Sequence, residues 1–131
     1  MRRTALLLVA MAALLTVPGT SALATDTTTL HGEFVWDDGG TEGKLDSTFT
    51  PTGPDVWDVS FRFHFRGRDH VYAGTARGSL SDGALEGKVR NDSKRRTFTF
   101  SGSFEDGVFR GRHAEIEDGR AHSTGTLTLA G

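Results

Sequence analysis

The chain has 131 residues with 15 basic and 17 acidic side chains, a formal charge of −2, and no cysteine. The absence of cysteine excludes a disulfide scaffold and a thiol nucleophile. The mildly acidic balance argues against a general nucleic-acid binder, which needs a basic surface.

The first segment reads as a secretory signal peptide. Met1-Arg2-Arg3 is a basic start, Ala5 to Val17 is a short apolar run, and Ser21-Ala22-Leu23-Ala24 ends on small residues. The run falls short of the roughly 20 residues that a membrane-spanning helix needs. Cleavage is expected after Ala24, which removes 24 of the 131 residues and leaves 107, enough for one small domain over 25–131. Two of the 15 basic residues go with the leader, leaving 13 against 17 acids and a charge of −4. The expected destination is the periplasm or the exterior, with no transmembrane segment in the mature chain.

Turn signals then recur at short, regular intervals: Asp37-Asp38-Gly39-Gly40, Pro51-Thr52-Gly53-Pro54, Gly67-Arg68-Asp69, Asp82-Gly83, Asn91-Asp92-Ser93, Asp106-Gly107 and Asp118-Gly119. Asp-Gly pairs supply the positive φ angles of tight hairpins. These turns delimit strands predicted at 28–36, 42–50, 55–66, 70–80, 84–91, 95–104, 108–116 and 120–129. No long segment repeats apolar residues at helical spacing. The fold class is therefore all-β, an eight-stranded antiparallel up-and-down meander closing into a small barrel. A two-sheet sandwich is the alternative.

The aromatic residues share one parity within each strand: Phe34 and Trp36; Trp57, Phe61, Phe63 and Phe65; Phe98, Phe100 and Phe104. Period-two alternation marks one dry face. Two-residue loops at Asp82-Gly83 and Asp106-Gly107 predict Leu80 opposite Leu85 and Phe104 opposite Phe109. A four-residue tip at 67–70 predicts Phe65 opposite Tyr72 and Phe63 opposite Gly74. In the last hairpin a three-residue loop, with Gly119 left-handed, is needed to turn Leu127 and Leu129 inward. Mid-strand glycines on the dry face predict sharp bending with an aromatic laid over bare backbone, as in Phe63 over Gly74.

Eight strands enclose an interior that side chains fill or that admits one small ligand. The inward polar set is Ser47, Tyr72, Arg96, His113, Glu115 and Ser123. Register places Glu115 opposite Phe98 and near Arg96, which predicts an Arg–Glu pair at one end of the barrel. No serine sits in a nucleophile elbow, and only Glu115 is an inward acid, so no enzyme activity and no cofactor are expected. The five histidines lack the spacing of a zinc motif. Arg62, Arg66, Arg77, Lys88 and Arg90 are expected to form a basic outer patch suited to an anionic glycan or headgroup, interspersed with acids such as Asp58 and Glu86. Asn91-Asp92-Ser93 matches a glycosylation acceptor.

The hairpin Asp82-Gly83-Ala84-Leu85-Glu86-Gly87 resembles one in avidin-type biotin binders, which are secreted eight-stranded barrels of similar size. The resemblance covers six residues and implies architecture only, with no ligand-contacting residue carried over. The expected function is an exported, non-enzymatic barrel binding a small apolar or aromatic molecule through Trp36, Trp57, Phe61, Tyr72, Phe98, Phe100 and His113. The alternatives are an envelope or extracellular protein- or glycan-interaction module with a filled core and a free edge strand, and a small outer-membrane barrel.

Overall fold

A computed structural model describes residues 26–131; the expected signal peptide and its cleavage point lie outside the described residues. Eight strands follow in order: β1 (Thr28–Trp36), β2 (Glu42–Gly53), β3 (Val56–Phe65), β4 (Arg68–Gly78), β5 (Gly83–Asn91), β6 (Arg96–Glu105), β7 (Val108–Glu117) and β8 (Arg120–Ala130). Each pairs antiparallel with the next, and β1 pairs with β8, so the sheet is a closed barrel. The sandwich is excluded. The seam runs from His31 opposite Ala130 to Trp36 opposite Gly125. That pairing leaves no free edge strand, so an interaction module built on strand addition loses its mechanism.

The dry face turns inward throughout. Val71 is the one large hydrophobic side chain exposed on the outside among the described residues. An outer-membrane barrel needs an apolar band facing lipid, and the outer wall here carries charged and hydroxyl side chains instead. The basic patch on that wall is broken by acids: Arg77 lies opposite Glu86, and Arg90 is bonded to Asp92 at 2.8 Å. Arg66, expected in that patch, stands instead in the β3–β4 turn with its guanidinium over the inward Phe65 ring. Asn91 is buried, and its Oδ1 accepts from the Ser93 hydroxyl and the Lys94 amide. The acceptor side chain is folded into its own turn.

Turn chemistry sets the register, and in three hairpins it differs from the sequence reading. Between β3 and β4, Arg66 and Gly67 both adopt positive φ, 54° and 77°, which makes a two-residue turn. Phe63 therefore faces His70 and Phe61 faces Tyr72. Each β3 residue thus pairs four residues earlier along β4 than expected, and an even shift keeps the same side chains inside. Between β4 and β5, the Ser79 hydroxyl accepts from the amides of Ser81 and Asp82. This holds a four-residue loop, so Leu85 faces Gly78 and Leu80 sits in the loop, half-buried against the core.

Between β7 and β8, Asp118 and Gly119 form a two-residue turn, not a three-residue one, with φ of 52° and 76°. Parity is restored further on. His113 faces Gly125 while Ala114 faces Ser123, so Thr124 is an extra residue in the ladder. The bulge turns Leu127 and Leu129 inward and leaves Ser123 outward, where its Oγ accepts from Arg112. The expected inward placement of Ser123 is thus corrected. The Asp106-Gly107 hairpin has the expected pairs: Phe104 with Phe109, Phe100 with His113 and Phe98 with Glu115.

The interior divides into two halves. At the end that carries the β2–β3, β4–β5 and β6–β7 turns, Phe49, Phe109, Leu85 and Leu129 are at most 1% exposed. Ser47 is also fully buried there, donating to the Leu30 carbonyl at 3.1 Å. This half is a solid floor. Aromatic rings lie over glycines as expected, but over other glycines: Phe34 over Gly43, Phe100 over Gly87 and Phe109 over Gly111. Gly74 instead stands against the Lys88 carbonyl of the neighbouring strand.

At the seam, a Cβ on Gly32 would collide with the backbone carbonyl of Thr128. Gly32→Ala is expected to destabilise the barrel by about 1–3 kcal/mol, because strand backbones must part to admit the methyl group. The measurement is the urea midpoint at an unchanged m-value; an unaltered midpoint would show that the seam is looser than described.

Candidate functional site

Opposite the floor, the inner face opens into a cup of about 400 Å³. Its mouth is ringed by the β1–β2, β3–β4, β5–β6 and β7–β8 turns. Of the residues singled out from the sequence, Trp36, Phe61, Tyr72, Phe98, Phe100 and His113 line the cavity. Trp57 does not. It stands in the floor half, edge-on to Phe49 with ring centres 6.4 Å apart, and its indole N–H donates to the Gly78 carbonyl at 3.0 Å. Trp57 shares the parity of the lining residues, but it lies at the start of β3, whereas the cavity follows the ends of β1, β3, β5 and β7. Parity gives the face of a strand; it does not give height along the barrel axis.

The walls form a nearly continuous aromatic belt. His70 stacks on Phe63 at 5.1 Å and 16°, and Phe63 on Tyr72 at 5.9 Å and 13°. Tyr72 meets Phe98 edge-on at 5.5 Å, Phe98 meets Trp36 at 5.8 Å, and Trp36 meets His113 at 5.2 Å. Phe34 bridges back to Phe63 at 5.0 Å. Tilted and edge-on rings are mutually attractive and hold one another in place. Trp36, Phe63, Phe65 and Phe98 stay only half-buried, since the cavity takes the place of a further packing partner. Phe63, Phe65, Phe34, Leu45, Val89, Leu127 and His70 belong to the lining as well. They were readable as inward or turn-flanking residues, but nothing in the sequence separated them from the floor.

Polar groups punctuate the belt. Arg96 and Glu115 form a two-pronged pair, Nε to Oε2 and Nη2 to Oε1, each 2.8 Å. The guanidinium lies over the rings of Phe98 and Trp36, 5.1 and 5.7 Å from their centres. This cation–π seat fixes the pair at the mouth. The hydrogen bonds from Arg96 hold the Glu115 carboxyl below the usual carboxylate range, against the opposing effect of burial. Tyr72 is 6% exposed, and its hydroxyl has no hydrogen-bond partner among the described residues. Burial raises its pKa, the positive charge of Arg96 opposes that rise, and the negative charge of Glu115 adds to it.

His113 stands opposite the β-bulge. Its Nδ1 is 2.7 Å from the Thr124 hydroxyl and its Nε2 is 3.2 Å from the Val35 carbonyl. A carbonyl only accepts, so Nε2 carries a proton. In the neutral ring Nδ1 is an acceptor, and the single Thr124 hydroxyl proton is shared between Nδ1 and the His113 carbonyl, 3.0 Å away. Burial pushes the His113 pKa down, partly offset by the Val35 carbonyl. On the outer wall, His31 and His64 hydrogen-bond to acids, His31 to Asp46 at 2.6 Å and His64 to Asp69 at 2.9 Å.

No family model matches the chain, and no curated protein does. Among solved structures, a redesigned β-barrel superposes with a TM-score of 0.67 over 85% of this chain and 93% of that one, at 17% sequence identity. This similarity bears on the fold alone.

A lowered pKa means that the folded protein binds fewer protons than the unfolded chain just below the ordinary histidine value of 6.5. His113 thus lowers stability as pH falls through that value, until the folded form also takes up the proton. Glu115 works in the same direction at lower pH: its pair with Arg96 stabilises above the ordinary carboxylate value, and this is lost as pH falls through its depressed pKa. In a proton NMR titration the His113 ring is expected to change charge below 6.5. A midpoint at or above that value would contradict the buried, neutral ring described here.

Proposed function

We propose that the protein is an exported, non-enzymatic β-barrel that takes up one small apolar or aromatic molecule in the open half of its interior. The observation that carries this reading is the contrast between the two halves. The floor is packed to exclusion, whereas the other half keeps about 400 Å³ between aromatic walls. A cavity of about 150 Å³ lined by apolar side chains already admits benzene. Rigid walls with a few polar groups among them are the usual character of a small-molecule site. The leader-like first 24 residues support export. Trp36, Phe61, Tyr72, Phe98, Phe100 and His113 are the proposed contacts; Trp57 is not among them.

The neutral dye N-phenyl-1-naphthylamine brightens when it leaves water and tests the reading directly. It is expected to bind with a stoichiometry of one. Val89→Phe, which directs a ring into the cavity, should weaken it roughly tenfold, equivalent to about 1.4 kcal/mol. Absence of saturable brightening with the wild-type protein would end the proposal. Equal affinity in Val89→Phe would place the dye elsewhere.

A further inference from the structure

The geometry points to an anionic ligand: an apolar body seated in the aromatic cup with a carboxylate at the mouth, met by the Tyr72 hydroxyl and an arc of cations. This rests on the cavity reading above and specifies its chemistry. Three observations carry it.

The charged residues lining the cavity are all basic: Arg66, Arg68, Lys94 and Arg96. Arg66 and Lys94 stand in the neighbouring β3–β4 and β5–β6 turns, and Arg68 and Arg96 open the strands that follow them, so all four share one side of the mouth. Arg66, Arg68 and Lys94 have no carboxylate partner among the described residues, and all three are exposed. The acids in the same arc are turned to the outer wall, where Asp69 is held by His64 and Asp92 by Arg90. The remaining acids of this end outside the Arg96–Glu115 pair, Asp37, Asp38, Glu42, Glu117 and Asp118, belong to the β1–β2 and β7–β8 turns or the residues flanking them; of these, Glu117 is near enough to Arg96 to act on its charge. Asp37 is bonded there by Arg112.

The second observation is Tyr72. A buried hydroxyl with no partner is unfavourable. This one lines the cavity close enough to Arg96 to feel its charge. It is a donor awaiting an acceptor. The third is the division of labour at Arg96. Glu115 occupies its Nε and Nη2, which neutralises the guanidinium and leaves Nη1 to donate without presenting a full charge. The net attraction for an anion therefore comes from the outer arc, and the direction comes from Tyr72 and Nη1.

A carboxylate offers two acceptor oxygens and one charge, matching a phenol donor on one side and guanidinium or ammonium donors on the other. The body behind it must be apolar, because inward of Tyr72 the cavity meets Phe61, Phe100 and Leu127. Rigid aromatic acids and medium-chain fatty acids both satisfy this description.

The test is equilibrium dialysis with two matched pairs, 2-naphthoate against 2-naphthamide and decanoate against decan-1-ol, at low salt. In at least one pair the acid is expected to bind roughly tenfold more tightly than its neutral partner, the size of one charge-assisted hydrogen bond. The preference should shrink as salt is raised and should vanish in the double variant Arg68→Glu, Lys94→Glu. Both positions are exposed, and retained binding of the neutral compound by that variant shows that the barrel is intact. Tyr72→Phe should weaken the acid and leave 2-methylnaphthalene unaffected. Neutral compounds that bind as well as the acids in both pairs would overturn the anion inference while leaving the cavity reading standing. Failure of all four, and of the neutral dye, would remove the cavity reading and the inference together.

Discussion

Closure of the sheet is the constraint on which the rest of the molecule depends. Eight strands of nine to twelve residues must curl until β1 meets β8, and the curl brings backbones together more closely than a Cβ allows. Gly32 against Thr128 and Gly125 against Val35 are such approaches at the seam itself. Glycine in a strand weakens it; here that weakness is offset by the completed hydrogen-bond ladder and by rings laid over the bare backbone. Closure then fixes how many inward side chains compete for the interior. In the floor half, phenylalanine and leucine, with Trp57 and Ser47, use all of it. In the other half the rings stand against one another around a space that they do not fill.

Much of this architecture was legible in the sequence because alternation and Asp-Gly turns are local signals. Strand number, order and inward faces all follow from them, and the Arg96–Glu115 pair follows from the register around Asp106-Gly107. Less legible were features decided by single backbone conformations. Arg66 occupies a left-handed position that sequence reasoning reserves for glycine or asparagine, and so the β3–β4 register shifted by four. Ser79 closes a loop with its hydroxyl, and so the β4–β5 register shifted by two. Both shifts are even, which is why the core assignment survived them. The β7–β8 hairpin is different: its parity was recovered through a bulge at Thr124 and not through the loop at Gly119.

The candidate site was half legible for the same reason. Inward direction is encoded by period two, but position along the axis depends on strand tilt and stagger, which no single strand encodes. Trp57 was therefore grouped with Trp36 although they stand in different halves of the barrel. The basic arc was not legible as a unit: Arg96 was readable as inward, but Arg66 and Lys94 come from two turns, which carry no facing rule, and Arg68 opens β4 beside one of them. Its recognition needed closure, which sets the β3–β4 and β5–β6 turns side by side. The bulge likewise has two effects at once: it turns Leu127 and Leu129 into the floor and gives His113 the Thr124 hydroxyl as a partner.

The seam has a further effect, on how copies of the chain meet one another. Every strand has both lateral neighbours within its own molecule, so a crowded solution of barrels presents no row of unsatisfied amides for an incoming chain to extend. Fibrillar growth by stacking then requires the ring to break first, and the backbone pairs at Gly32 and Gly125 are where that rupture would separate the first strand from the last.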